Sequence, residues 1–506
     1  MDMHMMQDRE QATGRAPVRP VVLALDQGTT NTKALLVDCA SGAVVADASR
    51  AVGIAFPGPG RVEQDAAQLR DATLEAAVAC LAAVPGALVA AVSISSQRES
   101  VVCWDRRTGE PLGPVLGWQD ARTAAWCARL EAEHPGARDL VRQRTGLSLD
   151  PMYSAPKMRH ALDAALAAGA APGDVAVGTV DSWLVRSLTG EHLTELGNAS
   201  RTLLLDLDTC AWDDVLRALF GVPRAALADP RASDAGFGRT LPGGVLPAGV
   251  PVVAVLADSH AAMYQQGCTV PGTGKATYGT GSSVMTPTTT HTDAPDGITT
   301  TLAWHVGGTA TYAREGNIVA SGSALDWMAA TLGAAPGVSG GAFLTELAAT
   351  EPDAGGVAFV PAFSGLGAPY WDRAATGVVT GVSAGTTRGH LARAALDAVA
   401  HQVADVVDAI GSDGAARLDV LRADGGATRS ALLMQRQADL AARPVHVGDA
   451  PEASALGAAT LARRTLGFGA EPAGVRDVFR PEVADPGPAR RAWATAVARS
   501  RGHATH

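Results

Sequence analysis

Residues Val21 to Asp38, VVLALDQGTTNTKALLVD, decide how the rest of the chain is read. Two apolar, β-favouring runs, Val21–Leu25 and Ala34–Val37, flank a short polar turn with Asp26, Gly28, Thr29, Thr30 and Lys33. Runs of this length, punctuated by Gly and Thr, predict buried strands joined by a tight hairpin. A turn centred on glycine bares backbone N–H groups and hydroxyls, which suits phosphate oxygens. Asp26, where the first run ends, is placed to hold a hydrated Mg²⁺ beside such phosphates, because that ion takes one or two carboxylates and keeps its waters. An ordinary surface hairpin shares this local pattern, so the stretches that accompany it carry the decision.

Two more turns of the same chemical kind follow in the second half. Lys275–Ser283 reads KATYGTGSS, and a short strand from Leu418 ends in Asp424-Gly-Gly-Ala427 before a helix over 430–441. The first half of the chain alternates strand-like and helix-like segments, which predicts an α/β architecture. An Ala- and Leu-rich helix is expected over 65–84, a buried strand over 88–95 leading into SQRES, and a strand over 101–104. Helical spacing marks 119–131 and 153–168, and NASRTLLLDLD reads as a polar loop running into a strand. A second domain is expected from Pro251, where PVVAVL forms a strand with Asp258 at its end. A long amphipathic helix is expected from Thr387 to Ile410, with Asp397, Gln402 and Asp405 on polar faces. The expected domains are 20–250 and 251–485, with 1–19 a disordered leader and 486–506 a tail.

The 506 residues exceed one ordinary core and so predict two large domains. A hydrophobic share of 47% with 18% charged residues is that of a folded chain. The net charge of −10 argues against a nucleic-acid partner, since phosphate backbones are met by clustered Lys and Arg. Six cysteines stand apart with no Cys-x-x-Cys pair, which suits reduced thiols and a cytoplasmic location. The first twenty residues lack the apolar core of a secretory signal, and no run of eighteen apolar residues suggests membrane insertion.

No G-x-x-x-x-G-K-[ST] is present, and no G-x-G-x-x-G follows the first strand, so neither common phosphate loop is in use. Phosphate-gripping turns divided between two domains imply a nucleotide held in the cleft between them, an arrangement suited to phosphoryl transfer. Read together, LALDQGTTNTKA, SISSQRESVVCWD, GWQDART, NASRTLLLDLD, PAFSGLGAPYWD, GVVTGVSAGTTRGHLARAALDA, DGGATRSALLMQRQADL and EASALGAATLA resemble the FGGY carbohydrate kinases, with the glycerol kinases nearest. The resemblance runs from about Val21 to Ala462. It implies a two-domain, actin- and hexokinase-like (ribonuclease H-like) α/β fold around an interdomain cleft. It also implies ATP with Mg²⁺ as donor and a small polyol or sugar as acceptor, and a homodimer or homotetramer is the assembly expected.

Carried over position by position, the resemblance makes Asp258 the catalytic base and, with Asp26, a metal ligand. Arg98 and Glu99 become the acceptor clamp, one donating to adjacent hydroxyls and the other accepting from them. Trp118 becomes the apolar wall beside the acceptor's carbon chain. Thr29, Thr30, Asn31, Lys33 and Thr280 fall on the phosphates, and Gly322, Asp326, Gly426 and Ser430 on the base and ribose side. As plain structure, Asp258 reads as a helix N-cap, Trp118 as a core residue and Gly426 as a strand-to-helix turn.

Three acceptor positions depart from the glycerol kinase pattern. Met152 replaces the tyrosine of D-P-Y-F-S, with Tyr153 beside it as the candidate to restore that hydroxyl. Ser259 replaces a glutamine after the catalytic Asp, and Ser283 a phenylalanine after Y-G-T-G. Fewer hydrogen-bonding groups and a smaller wall relax discrimination and admit a longer molecule. Glycerol or a close analogue is therefore expected, with a four- or five-carbon polyol or ketose as the rival. A non-catalytic sugar or nucleotide sensor is the alternative from another class, and the retained Asp26, Asp258, Arg98 and Glu99 count against it.

Overall fold

The computed structural model describes residues 19–288, 290–291, 294–469 and 471–502. The expected leader therefore lies, except for Arg19, outside the described residues.

Two sheets repeat one pattern. In the first, the hairpin Pro20–Gln27 and Asn31–Asp38 continues antiparallel into Val44–Ala51, while Leu88–Ser96 and then Val252–Ala257 add in parallel on the other side. In the second, Gly272–Tyr278 and Ser282–Thr288 form the hairpin, Thr309–Ile318 extends it antiparallel, and Leu418–Asp424 and Val445–Gly448 add in parallel. The parallel strands are buried on both faces and read as nearly unbroken apolar runs, which is why Val21–Leu25 and PVVAVL stood out in the sequence.

Register then places the functional ends together. Asp26 pairs with Ser95, and Leu256 pairs with the same Ser95 from the opposite side, so Asp26 and Asp258 emerge at one edge of the sheet. In the second sheet Thr277 pairs with Asp424 at the corresponding carboxyl ends. Crevices outside the carboxyl ends of parallel strands are where α/β sheets bind ligands.

The strand Val252–Ala257, expected to open the second domain, belongs to the first sheet instead. Its apolar run fills the parallel edge beside Leu88–Ser96, and the chain crosses over only after helix Asp258–Gln265. In return, helix Ala453–Thr465 comes back from the second sheet to pack on that helix and on the first sheet. The crossing is tight: a Cβ on Gly457 would stand 1.9 Å from the Ala261 carbonyl oxygen. Leu256, Met263, Ala455 and Leu461 share one apolar cluster with Met285 and Trp304 of the second sheet, and this cluster joins the halves.

Three other expectations are corrected. The NASR segment is a fully buried helical turn, Leu196–Ser200, capped by the Glu195 carboxylate through the Gly197 and Asn198 amides. Gln402 and Asp405 are not on a solvated face of the long helix Arg388–Ile410. Gln402 donates to the Ala320 carbonyl, and Asp405 accepts from Trp493 and Tyr370. The cause is the supposed tail. Residues Gly487–Ser500 form a helix whose Trp493, Ala496 and Val497 complete the second core.

Candidate active site

Three glycine-bearing turns from both halves meet in one cavity of ≈ 220 Å³. The first contributes Asp26 and Lys33, the second hairpin Lys275 and Thr277, the third Asp424 and Gly425. Asp258 and Ser259 close it from the first sheet, and Glu452 from the start of the returning helix. Gly425 sits at φ +95° with no room for a Cβ, which would fall 2.4 Å from the Tyr278 carbonyl. Glycine is required there because the turn presses its backbone against the neighbouring strand.

Asp258 is the first residue of its helix and 34% exposed at the side chain. Its Oδ1 accepts from the Ser259 amide at 2.6 Å and lies 3.7 Å from Arg98 Nε. Burial pushes its carboxyl above the usual range, and Arg98 pulls it back. One carboxylate thus touches both the cavity and the neighbouring Arg/Glu cluster.

That cluster is a closed ionic floor. Arg98 meets Glu315 through two N–H groups at 2.6 and 3.1 Å, Arg201 meets Glu315 at 2.8 Å, and Arg201 Nε donates to Glu99 at 2.6 Å. Glu315 comes from the second sheet, so the acceptor clamp is assembled across the halves. Burial alone would raise the Glu315 carboxyl, but Arg201 and Arg98 together hold it well below the usual carboxylate range. Beside the floor, Trp118 is half-buried and donates from its indole to Thr29 Oγ1 at 3.2 Å. Lys157, fully buried, donates to the Gly117 and Met152 carbonyls at 3.1 and 2.6 Å. It thereby ties the Met152 segment to the Trp118 segment.

Tyr153 does not restore the hydroxyl that Met152 lacks. Its residue is fully buried, its ring lies under the Arg201 guanidinium at 5.2 Å, and its hydroxyl has no hydrogen-bond partner. The segment turns into helix Ser154–Ala167 at this point and drives the ring into the apolar cluster with Leu147 and Met158. Met152 remains half-buried at the edge of that cluster.

The other nucleotide positions do not line the cavity. Thr30 and Asn31 are exposed on the first turn, where the Asn31 carbonyl accepts from the Gly28 amide at 2.9 Å. Thr280 is exposed and its carbonyl receives the Ser321 and Ser323 amides. Gly322 packs so closely that a Cβ would lie 2.5 Å from the Gly279 carbonyl oxygen. Asp326 is exposed against the Gly340 backbone. Ser430 caps helix Ala431–Ala441 and lies 2.7 Å from Thr345 Oγ1, while Gly426 has open space around it. Ser283 is nearly buried, with its hydroxyl 3.1 Å from Lys275.

A divalent ion fits Asp26. Its Oδ1 is buried without a hydrogen-bond partner, and burial, with the charge of Asp258 adding to it, pushes the carboxyl up to about 7. Such an oxygen accepts a hard cation that brings its own water, as Mg²⁺ does.

Sequence reasoning passed over Arg201, Glu315, Lys157, Lys275 and Glu452. Arg201, Lys157 and Lys275 share one signal, a lone charge inside an otherwise apolar or small-residue run, in NASRT, YSAPK and GTGKATY, while Glu315 stands beside Arg314 in AREGNI. Such charges are almost never fully buried without a dedicated partner.

Comparison with known proteins agrees with this geometry. The profile of the N-terminal domain of the FGGY family of carbohydrate kinases matches residues 21–264, and that of the C-terminal domain matches 274–466. An apulose kinase of Pectobacterium atrosepticum is 44% identical over 497 residues, covering 95% of this chain and 98% of its own. A glycerol kinase of Citrifermentans bemidjiense is 44% identical over 449 residues, covering 87% and 89%. A glycerol kinase of Thermus brockianus is 43% identical, covering 95% and 98%. Among solved structures, Plasmodium falciparum glycerol kinase with ADP superposes with a TM-score of 0.85 at 27% identity, over 95% of this chain and 98% of that one. The chain belongs to the FGGY family of carbohydrate kinases and is an ATP-dependent kinase with that family's two-domain fold.

Proposed function

We propose that this kinase transfers the γ-phosphoryl group of ATP to a terminal hydroxyl of a small polyol, glycerol or a close analogue. The observation that carries the reading is the position of Asp258, shared between the cavity of the three turns and the Arg98 floor. A carboxylate there takes the hydroxyl proton as the oxygen attacks phosphorus. Arg98 and Glu99 orient the acceptor's hydroxyls, Trp118 packs against its carbons, and Met152, Ser259 and Ser283 set the room around it. Lys33 and the amides of the first and third turns hold the phosphates. Closure of the halves excludes water and so suppresses loss of ATP to hydrolysis. Asp26, with Asp258, would hold the Mg²⁺, which supplies charge neutralisation on the phosphate oxygens when bound.

A four- or five-carbon polyol or ketose is the second reading. Met152, Ser259 and Ser283 favour it by leaving a less exacting site, and the apulose kinase matches this chain at the same 44% identity as the glycerol kinase of Citrifermentans bemidjiense, over 497 against 449 residues. A cytoplasmic location is part of this proposal, and six scattered cysteines with no Cys-x-x-Cys pair support it.

The test is ADP release by the full chain with glycerol, tetritols, pentitols, ketopentoses and apulose, together with Asp258→Asn. Removing a general base costs about 10²–10⁴ in turnover. An Asp258→Asn variant that matches the parent removes Asp258 from the reaction. A parent that releases ADP with none of these acceptors points instead to a sensor.

A further inference from the structure

Lys275 is a buried cation that the mechanism above leaves unused. It stands in the middle of strand Gly272–Tyr278 and is completely buried, yet it lines the same cavity as Asp26, Asp258 and Gly425. Its ammonium has two hydroxyl partners, Thr277 Oγ1 at 2.8 Å and Ser283 Oγ at 3.1 Å. The acids around it are otherwise engaged. Glu315 is held by Arg98 and Arg201, Asp258 stands nearest Arg98, and Asp424 accepts from Gln266. Among the described residues no carboxylate forms an ion pair with Lys275.

A desolvated ammonium without a counter-charge is costly, and folded chains seldom keep one unless an anion comes to it. Three N–H groups belong to the ammonium, and the two hydroxyls account for two of them. The third is left for the cavity. Lys33, the other lysine of that cavity, differs in kind: it is 34% exposed and already paired with Glu452.

We propose that Lys275 is a catalytic residue whose free N–H binds an equatorial oxygen of the phosphoryl group in flight, while Thr277 and Ser283 fix the ammonium in place. This rests on the kinase reading above. In the step, the acceptor hydroxyl oxygen forms its bond to the γ-phosphorus and the bond from that phosphorus to the bridging oxygen breaks. The electron pair of the broken bond leaves with ADP, and the hydroxyl proton passes to Asp258. Charge spreads over the three equatorial oxygens during this exchange, and a pre-oriented, dehydrated cation stabilises it without solvent reorganisation.

The experiment compares the full chain with Lys275→Met and Lys275→Arg, using the best acceptor of the panel. ADP release, affinity for ADP, and affinity for ADP with aluminium fluoride plus acceptor are measured side by side. Lys275→Met should lower kcat by about 10²–10³, the cost of losing one transition-state donor. Its ADP affinity should stay near that of the parent while affinity for the aluminium fluoride complex falls with kcat, and Lys275→Arg should recover part of both. A kcat near the parent's, or an equal loss in both affinities, overturns the proposal. Should Lys275→Met fail to fold, Ser283→Ala takes its place, with a smaller loss of kcat and an unchanged melting temperature expected; an unchanged kcat overturns the proposal. A parent without ADP release for any acceptor rejects the kinase reading itself, a result distinct from an active parent matched by Lys275→Met.

Discussion

The floor of the acceptor side and the phosphate cavity lie against one another and use the same residue types, but their charges are arranged differently. On the floor, Arg98 and Arg201 are matched to Glu99 and Glu315 by ion pairs of 2.6 to 2.8 Å, all nearly or fully buried. In the cavity, Asp26 has a buried oxygen with no partner, and Lys275 has hydroxyls where a carboxylate would balance it. A matched buried network holds its shape without help, because every charge already has its counterpart. An unmatched one holds its shape at a cost that only an incoming ion or phosphate relieves. The floor balances its charges internally, although two Arg201 nitrogens lack hydrogen-bond partners, while the cavity leaves its charges to be balanced by what binds in it.

Two substitutions set these behaviours against each other, the largest effect first. Asp26→Asn should lower kcat by about 10³ in a Mg²⁺-dependent assay, yet raise the melting temperature of the ligand-free protein at pH 8. The sign follows from the raised carboxyl. Its folded value of about 7 lies above the ordinary 3.8, so the folded chain holds the extra proton between those limits. The stability this gives is full below 3.8 and is lost as pH rises to 7, so the advantage of Asn grows from about pH 4 and is complete above 7. A lower melting temperature for Asp26→Asn at pH 8 would remove the contrast between the two regions. On the floor, Glu315→Gln should do the opposite and destabilise the fold, by about 3–5 kcal/mol, because it leaves two buried guanidinium groups short of a counter-charge. Urea unfolding checks the size, and a raised KM for the acceptor should accompany it because Arg98 loses its bidentate anchor.

This contrast also explains what the sequence made legible. DQGTT, YGTG and DGGA announce themselves because a turn that meets phosphate needs glycine and hydroxyls in a short span, and their neighbours are regular strands. Asp258 was legible because it ends an apolar run. The floor was not legible as a floor: Glu315 and Arg201 lie more than a hundred residues apart, and only the packing of the second sheet against the NASR turn brings them together. The reassignment of PVVAVL has the same root. A fully buried parallel strand looks alike in either sheet, and nothing local says which neighbour it pairs with. The helix at 487–500 was missed because its apolar stripe is thin among arginines, although Trp493 and Arg490 both anchor it on Asp405.

Lys157 sharpens the comparison from the supporting layer of the floor. Burial pushes its ammonium down to about 8 from 10.5. Between those values the unfolded chain binds the proton more strongly, so this residue's contribution to stability rises with pH across that window. Lys157→Met removes the effect, and the stability difference between variant and parent should shift by about 3 kcal/mol from pH 8 to 10.5 in the parent's favour. A difference that stays flat over this range would mean that the ammonium is fully compensated where it lies, as the arginines of the floor are.

Arg373 offers the smallest test, at the edge where the halves meet over the Met152 segment. Its guanidinium contacts both oxygens of Asp150, at 2.7 and 2.9 Å, but is itself 60% exposed. Asp150 is largely buried, but a pair whose guanidinium stands this far in solvent contributes up to about 1 kcal/mol, and salt screens it. Arg373→Ala should therefore leave kcat near the parent's and raise the acceptor KM by less than about fivefold, which is what 1 kcal/mol allows. The same rise should appear in the parent on adding 0.5 M salt, a concentration at which the Debye length is only about 4 Å. A much larger loss would show that the bond across the halves belongs with the buried, matched network and not with the solvated surface around it.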